Sequence, residues 1–97
     1  MITRNRKPTS PGEILNEEFL KPMNLKQTAL AKHLGCDWKV INRIVNERSA
    51  VTAEMAVKLG SALSTSPEFW LNAQKAVDLF EAERKVKVLP KPLLRTA

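Results

Sequence analysis

Cysteine occurs once in this 97-residue chain, as Cys36, so no internal disulfide can form and no cysteine framework supports the fold. A lone thiol suits a reducing compartment, and the cytoplasm is the expected location. Tyrosine is missing and aromatics make up only 5% of the chain, as Phe19, Phe69, Phe80, Trp38 and Trp70. The core must therefore come mostly from Leu, Ile, Val and Ala. Three glycines and few alternating apolar patterns argue against a turn-rich β architecture and for an all-α fold. No apolar run approaches the ~18 residues of a membrane helix, and the basic start lacks the apolar stretch of a signal peptide. His33, Cys36 and Asp37 lie close together in sequence, which suggests a Cys-His nucleophile or a partial metal site. No second Cys or His completes a metal shell, Cys36 falls in a predicted turn, and no phosphate-cradling glycine loop is present. The expectation is no catalytic residue, no metal and no cofactor.

What the chain does have is positive charge, unevenly placed. The formal charge is +6, with +3 in residues 1–7 (Arg4, Arg6, Lys7) and +5 in residues 84–97 (Arg84, Lys85, Lys87, Lys91, Arg95). Residues 8–83 net −2, yet within them residues 26–48 net +3 through Lys26, Lys32, Lys39, Arg43 and Arg48 against Asp37 and Glu47. Such segregation is what one phosphate-facing surface requires, because opposing charge elsewhere discourages docking in the wrong orientation. Basic tails that merely solubilise are the plainer reading of the two ends. The length fits one domain, and the organisation expected is a basic arm over residues 1–8, a folded domain over 9–84 and a basic, proline-containing tail over 85–97.

Capping signals divide the domain into five helices. Ser10, with Pro11 and Glu13 behind it, opens the first, which carries Ile14, Leu15, Phe19 and Leu20 inward and ends near Lys21, ahead of Pro22. The second runs from Gln27 to about His33 and stops at Gly35; the third runs from Trp38 to about Asn46 behind Asp37. Thr52 caps a fourth over Ala53 to Leu63, and Ser66-Pro67-Glu68 launches a fifth that reaches Glu83. Pro90 and Pro92 keep the tail out of a helix.

The second and third helices meet the demands of a helix-turn-helix between Lys26 and Asn46. Tight crossing needs a small residue at the contact, and Ala31 supplies it. The turn needs a residue tolerant of positive φ, and Gly35 stands four residues later. Ile41 and Ile44 follow at six and nine residues beyond Gly35, spaced to bury against the second helix. This is the spacing of the bacterial and phage repressor motif, which residues 27–46 resemble. With Ile41 at zero and ~100° per residue, Val40, Ile44, Val45 and Trp38 fall on one arc, while Lys39, Asn42, Arg43 and Asn46 fall together between roughly 100° and 200°. Arg and Lys donate to guanine O6 and N7 and Asn pairs with adenine, so Lys39, Asn42 and Arg43 are placed at base edges and Asn46 toward backbone or sugar. A solvated helix face is the plainer reading of the same four residues. Gln27 and Thr28 begin the second helix, whose free N–H groups can receive a phosphate. Lys26 caps poorly but adds a phosphate contact. Arg48 is either a phosphate contact or an ordinary surface arginine, and Trp38 either touches a thymine methyl or packs over the turn.

Three further segments carry a family likeness: Ser10-Pro11-Gly12-Glu13-Ile14-Leu15 with Glu17-Glu18-Phe19-Leu20; Ile41-Asn42-Arg43-Ile44-Val45-Asn46 with Val51-Thr52-Ala53-Glu54-Met55-Ala56; and Thr65-Ser66-Pro67-Glu68-Phe69-Trp70-Leu71-Asn72 with Gln74. Over roughly residues 9–80 the chain resembles the HigA antitoxins, repressor-like proteins also known as virulence-associated protein I. The resemblance implies a dimeric antitoxin that represses its own operon and neutralises a HigB-type toxin, an mRNA-cleaving ribonuclease. Departures are Lys26 in place of the usual capping Ser, Cys36 where Val or Ile is common, and Asp37 and Trp38 in place of small polar residues or Arg; these leave the operator sequence open.

The fifth helix carries Phe69, Trp70, Leu71, Ala73, Ala76, Val77, Leu79 and Phe80, a stripe wider than one small core can bury. A homodimer contact through Phe69, Trp70, Ala73, Val77 and Phe80 is the expectation, since a lone helix-turn-helix selects its site weakly and a two-fold dimer sets two reading helices about 34 Å apart; a fifth helix that simply closes the chain's own core is the plainer alternative. A stand-alone or phage-type repressor without a toxin keeps the same DNA chemistry. An adaptor using the fold for protein contacts alone predicts no salt-dependent DNA affinity.

Overall fold

Ser10 lies in extended backbone, and its hydroxyl accepts the Glu13 N–H at 3.1 Å, with Pro11 at the first helical position. The helix that begins there, α1 (Pro11–Ile14), continues without a break into a π-helical turn over Leu15–Leu20. The computed structural model describes residues 6–94, and five helices and no strand occur among them. The predicted first helix is therefore present but not uniformly α. In the widened turn the Lys21 N–H bonds to Asn16 O at 3.0 Å, five residues back. That widening brings Leu15 and Leu20 to the same buried side, while Ile14 and Phe19, expected inward, are half-buried.

Asp37, Thr52 and Ser66 likewise cap α3 (Trp38–Val45), α4 (Ala53–Leu63) and α5 (Pro67–Lys85), accepting the N–H of Lys39, Met55 and Phe69 at 2.8, 3.2 and 3.1 Å. Among the described helices, α2 (Gln27–Leu34) alone starts without a capping hydrogen bond, because Lys26 offers no acceptor. At its other end Gly35 takes φ 74°, letting the Cys36 N–H reach Ala31 O at 2.9 Å. Ala31 is buried at 2% exposure, and Ile41 and Ile44 sit beneath the crossing of α2 and α3.

Helix α1 fixes α3 from the other side. A β-carbon at Gly12 would lie 1.9 Å from Ile44 O and 3.0 Å from Val45 Cα, so the two backbones meet where only hydrogen fits. Helix α5 packs along α4 and touches α1, closing a core of Leu15, Leu30, Ile41, Ala56, Leu59 and Trp70.

Of the residues expected at a dimer contact, Trp70 belongs to the chain's own core at 0% exposure, and Val77 and Phe80 are 7% exposed within the single chain. Helix periodicity identifies an apolar face without saying what covers it; within this chain α4 and α1 pack against α5. The Trp70 indole N–H donates to Thr65 Oγ1 at 2.7 Å, and its ring lies against Phe19 and Phe69 at centroid distances of 5.5 and 5.1 Å. Phe69 remains exposed and Ala73 half-buried. Beyond Lys85, residues 86–94 are non-helical and exposed. Arg4 of the basic arm and Arg95 of the tail lie outside the described residues.

Candidate nucleic-acid interface

Lys39, Arg43 and Asn46 are exposed along one side of α3, while Ile41 and Ile44 anchor the opposite side in the core. Lys39 and Arg43 stand one turn apart, so their cationic ends share a row. Asn42 is only half-exposed and is braced at both ends. Its Nδ2 donates to Gln27 Oε1 at 3.1 Å, and its Oδ1 accepts from Asn46 Nδ2 at 3.2 Å. Asn46 Nδ2 also reaches Asn42 O at 3.0 Å. This chain of amides crosses from the start of α2 to the end of α3 and holds the two helices in register on their polar side. Sequence spacing brought these residues to one face, but it did not foresee the bridge from Gln27.

Lys26 and Thr28 are exposed beside the uncapped start of α2, where unsatisfied N–H groups and the helix dipole favour an anion. Supplying a side-chain cap should alter both properties in opposite directions. Lys26→Ser is expected to stabilise the domain by about 1 kcal/mol in a melting experiment, while removing one phosphate-attracting charge and so lowering affinity for duplexes of any sequence. Arg48 is exposed just past the end of α3, and Trp38, the first residue of α3, is 44% exposed.

The loop after α3 is held by a group that periodicity does not reveal. Gln74 on α5 accepts the Val51 N–H at 2.9 Å and donates to Asp78 at 3.0 Å. The loop leading out of α3 is thus tied to the last helix. Cys36 is half-buried beside the turn, and no His, Cys, Asp and Glu grouping suited to a metal ion occurs among the described residues. No described helix is long and apolar enough to cross a membrane.

Two helices packed about the buried Ala31 and joined by a turn at Gly35, with a braced polar face turned outward, define a DNA-binding helix-turn-helix of the repressor type. The helix-turn-helix family model matches residues 17–70. A Haemophilus influenzae protein named as an uncharacterized HTH-type transcriptional regulator is 53% identical over 78 residues, covering 80% of this chain and 73% of that one. Antitoxin HigA-1 of Vibrio cholerae is 42% identical over 85 residues, covering 88% of this chain and 80% of its own length. Antitoxin GraA, solved in complex with its operator, superposes with a TM-score of 0.82 at 41% identity, covering 95% of this chain and 99% of that one. The chain belongs to the HigA-type antitoxins of the helix-turn-helix family.

Proposed function

We propose that this protein is a sequence-specific DNA-binding antitoxin that represses its own operon and neutralises a HigB-type, mRNA-cleaving toxin in the cytoplasm, without catalysis of its own. The observation that carries the DNA reading is the outward row of Lys39 and Arg43, set beside an uncapped helix start and braced by the Gln27-Asn42-Asn46 chain. Arg43 and Lys39 reach base edges, and Lys26, Thr28 and Arg48 meet phosphates. Asn42 orients the face through Gln27 and reads a base edge when its amide is re-aimed. Trp38 meets a thymine methyl or sugar at the groove wall. The working form is a homodimer, which sets two recognition helices about 34 Å apart. Of the apolar residues on α5, Phe69 and Ala73 lie one turn apart and outside the sealed core, and they form part of the contact. Family membership and the operator-bound relative support this reading.

Arg43→Ala is expected to weaken operator binding by about 1 to 3 kcal/mol and to relax base preference at one position of each half-site. Titration of a labelled fragment of the protein's own promoter checks this, and an unchanged affinity would overturn the orientation assigned to α3. Co-expression with the adjacent gene product, followed by pull-down, tests the toxin. The relative from Haemophilus influenzae, named as a transcriptional regulator, favours a second reading in which the same DNA chemistry operates with no toxin. In that case the adjacent product does not co-purify.

A further inference from the structure

Glu47 stands where a side chain is disfavoured. It comes after the last turn of α3 with φ 59°, in the left-handed region. There it closes a helix end in which its own N–H meets Ile44 O at 3.0 Å and the Arg48 N–H meets Arg43 O at 2.8 Å. Glycine is the usual residue at such a position, because a β-carbon crowds the following carbonyl. The side chain present reaches across 40 residues of sequence, and its Oε1 accepts from Lys7 Nζ at 2.8 Å. That hydrogen bond, together with the charges of Glu47, Glu81 and Glu13, raises the Lys7 pKa and keeps the ammonium charged. The segment ahead of α1 is thereby fastened to the end of the recognition helix.

The fastening gathers cations where α3 runs out. Arg6 is the next residue outward from Lys7 and is exposed; Arg48 adjoins Glu47 and is exposed as well. Glu47 lies four residues beyond Arg43, so Lys7, bonded to Glu47, and Arg48, next to it in sequence, bring positive charge to the end of the helix that carries Lys39 and Arg43. Lys7 is paired with Glu47, so on the segment ahead of α1 it is Arg6, with Arg48 of the α3 end, that is placed to meet an external anion.

We propose that the N-terminal segment is a second DNA-contacting element, in which Glu47 pins Lys7 and so delivers Arg6 to the sugar-phosphate backbone flanking the groove that α3 enters. This rests on the DNA-binding reading given above. The chemistry is that of phosphate diesters and not of base edges, since an arginine on an irregular segment neutralises phosphate without a rigid frame for one base pair. Arg4, two residues earlier in sequence, adds charge of the same sign.

Full-length variants, titrated over a salt series against the operator duplex and a scrambled duplex of equal length, test the assignment. Arg4→Gln/Arg6→Gln is expected to lower the slope of log affinity against log salt by about 1 to 2 on both duplexes, each lost phosphate contact removing about 0.9. Glu47→Gly separates pinning from mere proximity. It relaxes the left-handed residue and removes a carboxylate from beside the phosphates, so a passive Glu47 predicts tighter binding. A pinning Glu47 predicts weaker binding, down to the level of Arg4→Gln/Arg6→Gln, with no added loss when the substitutions are combined. Melting temperatures unchanged or raised exclude misfolding as the cause. A wild-type salt slope in Arg4→Gln/Arg6→Gln, or tighter binding by Glu47→Gly, overturns the proposal while leaving the DNA-binding reading intact. If the unaltered chain shows no salt-dependent binding to either duplex, both fall together.

Discussion

Gly12→Ala is expected to destabilise the domain by about 3 kcal/mol, at the upper end of what overpacking usually costs. On an exposed helix the same change would raise stability, because alanine is favoured over glycine by about 1 kcal/mol. The sign is therefore diagnostic. The added methyl would meet Ile44 O at 1.9 Å and Ile44 C at 2.8 Å, and both are backbone atoms of α3 that no rotamer change can move aside. Relief requires α1 to lift from α3, which exposes Ser10, Pro11 and Leu15, all buried in the native packing. For a domain of this size the melting temperature should fall by roughly 12 to 24 °C. Lifting α1 also removes the support behind the recognition helix, so the fraction that stays folded at low temperature should bind operator more weakly. A melting curve at or above that of the unaltered chain would mean that the two helices do not meet as described.

The same contact shows which parts of the fold are legible in sequence. Ser10, Asp37, Thr52 and Ser66 announce their helices because capping is local: a short acceptor side chain bonds an N–H two or three residues on, whatever lies elsewhere. Gly35 is legible for a similar reason, since glycine after an apolar period marks a left-handed helix end. Asn24, at φ 50°, carries such a signal too, since asparagine tolerates the left-handed region, whereas Glu47 and Ser64 adopt positive φ, at 59° and 58°, with side chains that give none. There the backbone conformation is selected by the path of the next residues and by tertiary packing. The π-helical turn at Leu15–Leu20 is hidden in the same way, because its widening answers to the burial of Leu15 and Leu20 by other helices. Within the polar face, periodicity finds Lys39, Asn42, Arg43 and Asn46 together, whereas the Gln27-Asn42 bond and the Lys7-Glu47 pair depend on separations of 15 and 40 residues that no local pattern encodes.

Trp70→Ala should be the more damaging change, at about 3 to 5 kcal/mol, because it empties the largest fully buried side-chain site and leaves a void the neighbours can only partly fill. Against a total stability of about 5 to 15 kcal/mol for a typical domain, a loss of this size removes a large fraction of what keeps the chain folded. Three contacts fail together: the tilted ring of Phe19, the edge-on ring of Phe69, and the hydrogen bond to Thr65 Oγ1. Trp70→Phe preserves an aromatic body and forfeits the N–H donor and part of the volume, so its cost should be nearer 1 to 2 kcal/mol, about one hydrogen bond and a small cavity. Denaturant melts of the two variants, followed by far-ultraviolet circular dichroism, give the comparison directly. The ranking also decides between two roles for the fifth helix. A residue at a subunit contact yields a folded monomer when truncated, with helical signal intact and sedimentation at half the mass. Loss of helical signal in step with loss of the dimer places Trp70 in the interior of each protomer, against Phe19 and Thr65. A folded, fully helical Trp70→Ala monomer would return it to the interface and leave the burial of α5 unexplained.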